Sequence, residues 1–275
     1  MKRKISKVLL SLFFFVSIAN ICSAQNTARG IAAEKIAVEQ KDNVKKYEPQ
    51  LCFSGGHSGS VHSIAYSPNE KYIASGSYDT TVRIWDIKTG KEIRKFYHDD
   101  QVNSISYSPD GNYIATGSYD NTVRIWDIKA GYEIKRITED SGINSISYSP
   151  DGNYIVAGSE NKIIIWNIIT GERKILEQSL EFSDCVVTYS PNGNYIVIGC
   201  YKRISVYNLS TGIEVIRRIE KTSSKNWISS ISYSPDNKYI AVGWFNGIVN
   251  ILDSKNGMNL WTFGRDTILA NLTTA

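Results

Sequence analysis

Three residue types that together can perform nucleophilic catalysis occur close together in this chain. His57, Ser75 and Asp79 are the residues of a hydrolase triad, in which a histidine takes the serine proton and a carboxylate orients the histidine. The same types recur 41 positions later as His98, Thr116 and Asp120, and each set is followed by a tryptophan, Trp85 or Trp126. One active site has no need of a second copy at a fixed spacing. The recurrence therefore favours a repeated structural role over catalysis.

The later parts of the chain lose these residues together. The three later positions equivalent to His57 hold Glu139, Leu180 and Ser224. Those equivalent to Ser75 hold Ala157, Ile198 and Val242. A buried polar group left without its partner would cost about 1–3 kcal/mol, so members of one hydrogen-bond network are expected to disappear jointly. We therefore predict that no residue here is catalytic; the sequence also lacks a P-loop, an HExxH motif and a nucleophile elbow.

A turn motif repeats along the chain at nearly constant spacing. Ser-Pro followed by Asn or Asp occurs five times, with the prolines at Pro68, Pro109, Pro150, Pro191 and Pro235. Proline fixes the backbone at the second position of a β-turn. A tyrosine lies two positions before and four positions after each of these prolines. The spacings of 41, 41, 41 and 44 residues predict a protein built from five similar units.

Each unit has the pattern of four short β-strands. In the first unit, β-branched and aromatic residues separated by turn residues predict strands at Val61–Tyr66, Lys71–Ser77, Val82–Ile87 and Glu92–Tyr97. The last strand of the fifth unit is predicted at Met258–Phe263. No stretch within the units is long enough for an apolar helical stripe. The sequence therefore predicts an all-β fold.

These motifs resemble the WD-repeat family over about residues 47–263. The resemblance rests on Gly56-His57, on Ser75-Gly76-Ser77-Tyr78-Asp79 with Arg83-Ile84-Trp85-Asp86, and on their repetition at Thr116–Asp120 and Arg124–Asp127. The equivalent of Trp85-Asp86 decays to Trp166-Asn167, Tyr207-Asn208 and Leu252-Asp253 in the later units. Membership implies a β-propeller of four-stranded antiparallel blades with five visible repeats. It also implies a structural hydrogen-bond network in the first two units, formed by His57, Ser75, Asp79 and Trp85 and by His98, Thr116, Asp120 and Trp126.

The chain divides into a leader, a connecting segment and the repeats. We predict a signal peptide at 1–24, a linker or short helix at 25–46 and the propeller at 47–275, with units at about 57–97, 98–138, 139–179, 180–223 and 224–264. Tyr47–Ser54 aligns with an outer strand, and 265–273 aligns with a loop and a partial inner strand of a sixth unit. In one interpretation, the ring closes with five blades and one of these two segments is added at an edge. In the other, the ring is incomplete, because the gene is truncated or because another chain supplies the missing blades. We favour the incomplete ring.

The first 24 residues have the organisation of a secretory signal. Met1–Lys7 is basic, Val8–Ile21 is an apolar run of 14 residues, and small residues at Cys22 and Ala24 precede Gln25. The run is shorter than the roughly 20 residues that span a bilayer. An uncleaved N-terminal anchor is the alternative. We predict cleavage near Ala24-Gln25, export to the periplasm or the medium, and no membrane span in the mature chain.

Three cysteines remain after cleavage: Cys52, Cys185 and Cys200. This odd number, without a CxxC or a Cys/His cluster, excludes a disulfide scaffold and a zinc site. Cys185 and Cys200 lie on consecutive predicted strands and are nearly symmetric about the turn at Asn192-Gly193, so a cross-strand disulfide is conceivable in an oxidising compartment. A register change of one residue would place the two side chains on opposite faces. We favour two buried free thiols.

The charge balance argues against a nucleic-acid partner. Once the four basic residues of the leader are removed, 27 basic and 27 acidic residues remain, whereas nucleic-acid affinity needs clustered Lys and Arg.

We predict an exported, non-enzymatic scaffold that binds a protein or peptide and needs no cofactor or metal. Self-association, or a second chain that completes the ring, is a further expectation. One alternative is a secreted hydrolase or lyase that acts on a glycan or ester and uses some of Asp99, Asp100, Glu139, Asp140 and Asp184. The other is a truncated, non-functional fragment.

The predicted partner surface is the face that carries the turns between the second and third strands and the loops that connect one unit to the next. The residue before the turn Asp of the first unit is Tyr78, and the same offset gives Tyr119, Glu160, Tyr201 and Phe245 in the others. Polar or small residues occupy the neighbouring position of the first strand: His62, Asn103, Asn144, Cys185 and Ser229. Aromatic rings around polar groups are typical of recognition surfaces. The alternative is that these aromatic side chains pack sideways on neighbouring loops.

Overall fold

The computed structural model describes residues 55–160, 162–178, 185–219 and 227–264. Within these residues the chain forms twenty strands and no helix, arranged as five four-stranded antiparallel sheets. Blade 1 contains β1 (Val61–Tyr66), β2 (Tyr72–Ser77), β3 (Thr81–Asp86) and β4 (Glu92–Tyr97). Blade 2 contains β5 (Val102–Tyr107), β6 (Tyr113–Ser118), β7 (Thr122–Asp127) and β8 (Tyr132–Thr138). The predicted fold class of four-stranded antiparallel blades is confirmed.

The three remaining blades repeat this order. Blade 3 contains β9 (Ile143–Tyr148), β10 (Tyr154–Ser159), β11 (Lys162–Asn167) and β12 (Arg173–Gln178). Blade 4 contains β13 (Cys185–Tyr189), β14 (Tyr195–Cys200), β15 (Arg203–Asn208) and β16 (Glu214–Ile219). Blade 5 contains β17 (Ile228–Tyr233), β18 (Tyr239–Trp244), β19 (Val249–Asp253) and β20 (Asn259–Phe263). The strands predicted for the first unit are present to within one residue at each end.

The serine of each Ser-Pro motif closes the turn between the first and second strands of its blade. In blade 1 the Ser67 hydroxyl donates to Asn69 Oδ1 at 2.8 Å and accepts the backbone N–H of Tyr72 at 2.9 Å. The same pair of bonds recurs at Ser108, Ser149, Ser190 and Ser234. Serine and Asx side chains stabilise turns by bonding to nearby backbone in this way. The motif therefore fixes the start of every second strand.

Consecutive blades pack face to face through a glycine of the second strand. A Cβ added to Gly76 would lie 2.7 Å from Val102 Cγ1, and one added to Gly117 would lie 2.6 Å from Ile143 Cγ2. Gly158 and Gly199 are approached as closely by the first strand of the following blade. The missing side chain thus forms a notch, which admits an aliphatic side chain of the next blade at Gly76, Gly117 and Gly199 and the backbone carbonyl of Cys185 at Gly158. We call these four positions the notch glycines.

Serine hydroxyls join the inner strands of successive blades. The backbone N–H groups of Ile105, Ile146 and Val187 each donate to a serine hydroxyl of the preceding blade, namely Ser63 at 3.0 Å, Ser104 at 3.0 Å and Ser145 at 3.1 Å. A second row joins Tyr148 to Ser106 and Tyr189 to Ser147. These bonds satisfy backbone donors on the edge of each inner strand. No local sequence pattern indicates this hydroxyl ladder.

Burial shows where this packing stops. Tyr107, Tyr148 and Tyr189 are buried against the preceding blade, whereas the equivalent Tyr66 of blade 1 is 55% exposed. The inner strands of successive blades contact each other. Within the described part of the chain, the inner strands of the first and last blades, β1 and β17, make no comparable contact. The five described blades are therefore not closed into a ring. The predicted edge segments Tyr47–Ser54 and 265–273 lie outside the described residues, as do the signal peptide and the 25–46 segment.

The expectation of two free thiols in blade 4 is wrong. Cys185 and Cys200 are bonded, and their Cα atoms are 4.4 Å apart. They are direct partners in the β13–β14 register, and this separation is close to that of a non-hydrogen-bonded antiparallel pair. Side chains at such a pair lie on the same face, so no register change separates them.

In the described ranges no helix is long and apolar enough to cross a bilayer. Among the same residues, no group of three or more His, Cys, Asp or Glu could hold a metal ion.

The notch geometry yields a stability prediction. Gly117→Ala should lower the free energy of unfolding by about 1–3 kcal/mol, because its Cβ would overlap Ile143 and neither blade can shift without disturbing its other neighbour. Gly56→Ala is the matched control, since a Cβ there meets nothing within 4 Å and the change should stay within about 0.5 kcal/mol. Urea denaturation of both variants measures the difference. Equal stability of the two variants would contradict the packing described here.

Candidate functional site

The triad-like residues of blade 1 form a buried chain of hydrogen bonds. The indole N–H of Trp85 donates to Ser75 Oγ at 2.8 Å, and Ser75 Oγ lies 2.7 Å from His57 Nε2. His57 Nδ1 lies 2.9 Å from Asp79 Oδ2. A carboxylate can only accept, so Nδ1 carries the proton and Nε2 accepts from the serine. This series of hydrogen bonds connects β3, β2, the loop before β1 and the β2–β3 turn. We call it the brace.

Asp79 is the end of the brace and also organises its own turn. Its carboxylate accepts the backbone N–H of Ser58 at 2.9 Å and the hydroxyl of Thr81 at 2.6 Å. Burial alone would raise the pKa of Asp79, but hydrogen bonds from Thr81, Ser58 and His57 hold it below its usual range. The carboxylate therefore stays charged and fixes the β2–β3 turn against the loop that enters the blade.

Blade 2 contains the same brace, and in both blades an arginine lies beside the brace aspartate: Arg83 is 3.6 Å from Asp79 in blade 1, and Arg124 is its equivalent. Trp126 donates to Thr116 Oγ1 at 2.9 Å, Thr116 lies 2.7 Å from His98 Nε2, and His98 Nδ1 lies 2.8 Å from Asp120. Burial lowers the pKa of His98 although the bond to Asp120 opposes this, so the ring is neutral at pH 7. Arg124 pairs with Asp120 at 2.7 Å and with the exposed Asp99. The guanidinium thereby ties the turn to the loop.

In blade 3 an ion pair occupies the place of the brace. Glu139, at the histidine position, lies 3.3 Å from Lys162 Nζ and also pairs with Arg173 at 2.7 Å. Ala157 provides no hydroxyl, and the buried indole N–H of Trp166 has no hydrogen-bond partner within the described ranges. Glu139, Lys162, Trp166 and Arg173 line a surface pocket of about 340 Å³ between β8 and blade 3. The sequence analysis recognised the loss of the brace but not its replacement by charge.

Blades 4 and 5 use other polar contacts. In blade 4, Tyr207 takes the tryptophan position and donates to Glu177 Oε2 at 3.2 Å, and burial raises the pKa of its hydroxyl to about 12. In blade 5, Trp244 donates to Asn250 at 2.6 Å, and Asn250 donates to Thr262 at 2.8 Å. Leu180 and Ser224, predicted at the histidine position, lie outside the described residues.

The geometry of the brace matches support rather than catalysis. Ser75 and Thr116 are buried, and each hydroxyl already accepts an indole N–H. Three of the carboxylates considered for a hydrolase are engaged in ion pairs: Asp99 with Arg124, and Glu139 and Asp140 with Lys162. Asp100 accepts the backbone N–H of Gln101, and Asp184 lies outside the described residues. Glu139 and Asp140 thus meet at one ammonium group, that of Lys162, whereas Asp99 pairs with Arg124 of blade 2.

The predicted partner-binding aromatic residues lie at the turns between second and third strands, and the turns of Tyr78 and Tyr119 are supported by the braces. Tyr78 is 40% exposed and stacks on His62, with ring centroids 3.7 Å apart. Tyr119 is 39% exposed, and its ring covers Gly142 of the following loop. Phe245 is 64% exposed and stacks on Trp227, with centroids 4.3 Å apart. The contacts with His62 and Gly142 are the sideways packing of the alternative hypothesis, yet each aromatic side chain keeps a large exposed fraction.

The remaining predicted residues are placed less uniformly. Tyr201 adopts a left-handed backbone conformation with φ of 53°, in a shorter turn than that of blade 1, and Lys202 lies 5.1 Å from its ring centroid. Asn103 donates to the backbone carbonyl of Ile143 in the next blade at 3.0 Å, while Asn144 is half-buried. Trp227 was not predicted; its position directly before β17, facing the Phe245 turn, is the signal that identifies it.

Two family models match most of the repeat region. The model described as WD domain, G-beta repeat matches residues 48–86, 90–127 and 131–167. The model described as Anaphase-promoting complex subunit 4 WD40 domain matches residues 187–268. This chain belongs to the WD-repeat family. The matches extend over all five described blades, including those in which the WD signature has decayed.

WD-repeat relatives are similar over short stretches. F-box/WD repeat-containing protein 10 of Mus musculus is 48% identical over 42 residues, which is 15% of this chain and 4% of the relative. The probable cytosolic iron-sulfur protein assembly protein Ciao1 of Culex quinquefasciatus is 34% identical over 56 residues, or 20% of this chain and 17% of the relative. The ribosome biogenesis protein BOP1 homolog of Leishmania infantum is 32% identical over 76 residues, or 26% and 9%. The matched stretches thus span less than a fifth of these relatives.

The WD brace predicts energetic coupling. Trp85→Phe and His57→Ala should each lower the free energy of unfolding by about 1–3 kcal/mol, because each removes one of the two hydrogen-bond partners of Ser75. The double variant should cost much less than the sum, since both changes break the same network. Denaturant melts of the four proteins in the cycle measure the coupling. Additive losses would show that the tryptophan and histidine act independently.

Proposed function

We propose that this chain is an exported, non-enzymatic scaffold that binds a protein or peptide through its turn surface. The turn surface comprises the aromatic side chains at the turns between second and third strands and the polar side chains beside them: Tyr78, Tyr119, Tyr201, Phe245, His62, Asn103 and Asn144. The observation that carries the proposal is the exposure of Tyr78, Tyr119 and Phe245 in three different blades. Exposed aromatic side chains next to polar groups supply large contact area to a partner.

The braces favour recognition because they hold this surface in one conformation. Tyr78 directly precedes Asp79, and its backbone N–H donates to Ser60 O at 3.0 Å. Tyr119 precedes Asp120 and donates in the same way to Gln101 O at 3.0 Å. A side chain that is already ordered loses little entropy on binding. The rigid turns therefore suit a surface that contacts a partner without rearranging.

The family and the names of the relatives support an interaction role. The Culex relative is called an assembly protein and the Leishmania relative a biogenesis protein. The names refer to the assembly of iron-sulfur proteins and to the biogenesis of ribosomes. A scaffold of WD repeats with exposed aromatic side chains at the turns of three blades is compatible with such a role. The partner of this chain is proposed only as a protein or peptide.

Export is proposed from two independent features of the chain. The leader combines a basic start, a short apolar run and small residues before Gln25. The Cys185–Cys200 disulfide belongs to the kind of bond that persists in oxidising compartments and is rare in the cytosol. Both features favour a periplasmic or secreted protein.

The export proposal is tested on protein recovered from the source cells. We expect the extracytoplasmic fraction to contain a chain that begins near Gln25, with Cys185 and Cys200 oxidised and protected from thiol alkylation. N-terminal sequencing and mass mapping of alkylated peptides measure both. Recovery of chains that begin at Met1 from the cytosol, with both thiols free, would contradict export.

The turn surface is tested by capture of partners. The Tyr78→Ala/Tyr119→Ala variant, cross-linked in the extracytoplasmic fraction and quantified by mass spectrometry, should capture about tenfold less of the proteins that the unmodified chain enriches. Its melting temperature should be nearly unchanged. The control is Tyr66→Ala/Tyr132→Ala, because these tyrosines are 55% and 60% exposed and lie at the opposite ends of their blades from the turns between second and third strands. Equal capture by both variants, or a large loss of stability in the first, would assign Tyr78 and Tyr119 to the scaffold.

A further inference from the structure

The outer part of the junction between blades 2 and 3 contains a pocket because one side chain is smaller than its counterpart. At the preceding junction, Phe96 of β4 is 3% exposed and stacks on Trp126, with ring centroids 4.8 Å apart. Ile137 takes the same register position in β8 and is only partly buried against the cluster that contains Trp166. The pocket of about 340 Å³ lies at this place, with Ile137 and Trp166 among its lining residues.

One of the lining residues carries a buried hydrogen-bond donor. In blades 1 and 2 the indole N–H donates to the hydroxyl of Ser75 or Thr116. Blade 3 has Ala157 at this position, and the indole N–H of Trp166, a residue that is 2% exposed, has no hydrogen-bond partner among the described residues. Packing of the ring offsets the cost of this donor in the free chain. An acceptor that reaches it removes the cost, and the bond is stronger there than in water.

The charged groups of the pocket have an excess of positive charge. Three cations, Lys135, Lys162 and Arg173, lie in the wall with two carboxylates, Glu139 and Asp140. Lys162 pairs with both carboxylates, and the side chains of Lys162 and Glu139 are only 7% and 4% exposed. Arg173 donates to Glu139 through Nε at 2.9 Å and Nη2 at 2.7 Å. Lys135 donates to a backbone carbonyl, so its charge is the one that the two carboxylates do not balance.

These features favour a ligand that accepts hydrogen bonds and carries one negative charge. Two of the five N–H groups of Arg173 donate to Glu139, so donors remain on a side chain that is 40% exposed. A carboxylate brings acceptor oxygens and no donor, and its single charge balances the excess in the wall. A phosphate monoester carries about −1.5 to −2 charges at pH 7 and would leave negative charge uncompensated. The volume lies at the lower end of the roughly 300–1,000 Å³ of small-molecule sites.

We propose that the pocket between β8 and blade 3 binds a small organic acid through its carboxylate. One carboxylate oxygen accepts the indole N–H of Trp166, the other accepts from Arg173, and the remainder of the molecule lies against Ile137. The carboxylate belongs to a free acid or to the C-terminal residue of a peptide, since both present the same group. No residue of the turn surface lines this pocket, so the proposal is independent of the partner proposed there.

The first experiment detects binding at Trp166 itself. In proton–nitrogen correlation NMR spectra of the full chain, butyrate should move the Trp166 indole signal to lower field and saturate, because the N–H gains an acceptor. Butyramide has nearly the same size without the charge and should leave the signal in place. Loss of the signal in Trp166→Phe identifies it. No movement with butyrate, or an equal response to butyramide or to inorganic phosphate, would overturn the proposal.

A second probe distinguishes the two sources of the carboxylate. N-acetyltrialanine carries its carboxylate at the end of a peptide. Tighter binding of this peptide than of butyrate, measured on the same Trp166 signal, would support the proposal with a peptide C-terminus as the ligand. Weaker binding of the peptide would support it with a free acid as the ligand.

Two variants restore the arrangement of the earlier blades without changing the charges of the wall. Ile137→Phe introduces the ring that covers Trp126 one blade earlier, and Ala157→Ser introduces the hydroxyl that accepts the indole N–H in blade 1. Each should weaken butyrate binding, the first by filling the pocket and the second by supplying the indole with an internal acceptor. Unchanged binding in Ile137→Phe would show that butyrate binds elsewhere and would overturn the proposal.

A further pair of variants tests the guanidinium. Arg173→Gln should weaken butyrate binding at least about tenfold, because a charged donor to the carboxylate is lost. Arg136→Gln is the matched control, since Arg136 also pairs with a glutamate, Glu133, and does not line the pocket. Binding that is unchanged in Arg173→Gln, or weakened equally in Arg136→Gln, would contradict recognition by Arg173 and overturn the proposal.

Discussion

Every blade of this protein depends on apolar contact between the faces of neighbouring sheets. A four-stranded sheet with β-branched and aromatic residues on both faces is not stable alone in water, because neither face is covered. The notch glycines make the contact close: the absence of a side chain at Gly76 allows Val102 to approach to a distance at which a Cβ would overlap. The resulting junction buries Ala74, Val82 and Ile84 completely. Stability is therefore a property of junctions rather than of single blades.

The polar interior follows the same logic of mutual dependence. In blades 1 and 2 the tryptophan, hydroxyl, histidine and aspartate satisfy one another, so each is acceptable in the interior only because the next is present. Blade 3 has lost the hydroxyl at Ala157 and replaced the histidine by Glu139, whose charge is balanced by Lys162 and Arg173. Trp166 remains as a large apolar side chain although its N–H has no partner within the described ranges. Its retention indicates that the ring is kept for its packing area, which outweighs one unsatisfied donor.

Local sequence signals predicted most of the fold, because the repeat multiplies each of them. Proline and serine define each turn within five residues, so strand positions were correct to within one residue in blade 1. The Cys185–Cys200 bond was missed because a register cannot be read from symmetry about a turn, and only the pairing in the structure shows that the two residues face each other. The hydroxyl ladder was missed because Ser63 and Ser104 look like ordinary polar positions of a half-exposed strand. Their partners are 42 residues away, and no local pattern shows which backbone donors lack a partner within their own blade.

The aromatic turn surface depends on the interior without being part of it. Tyr78 is ordered by two contacts, the stack on His62 and the backbone bond to Ser60, and Asp79 fixes the turn directly behind it. Burial lowers the pKa of His62, so at pH 7 the ring under Tyr78 is a neutral aromatic plane rather than a cation. Blade 5 lacks the brace, yet Trp227 and Phe245 also form a stacked aromatic pair there. Two unrelated local solutions thus place stacked aromatic pairs at equivalent turns of blades 1 and 5. This recurrence is expected if the pairs serve contact with a partner, since the packing of the blades requires neither Tyr78 nor Phe245.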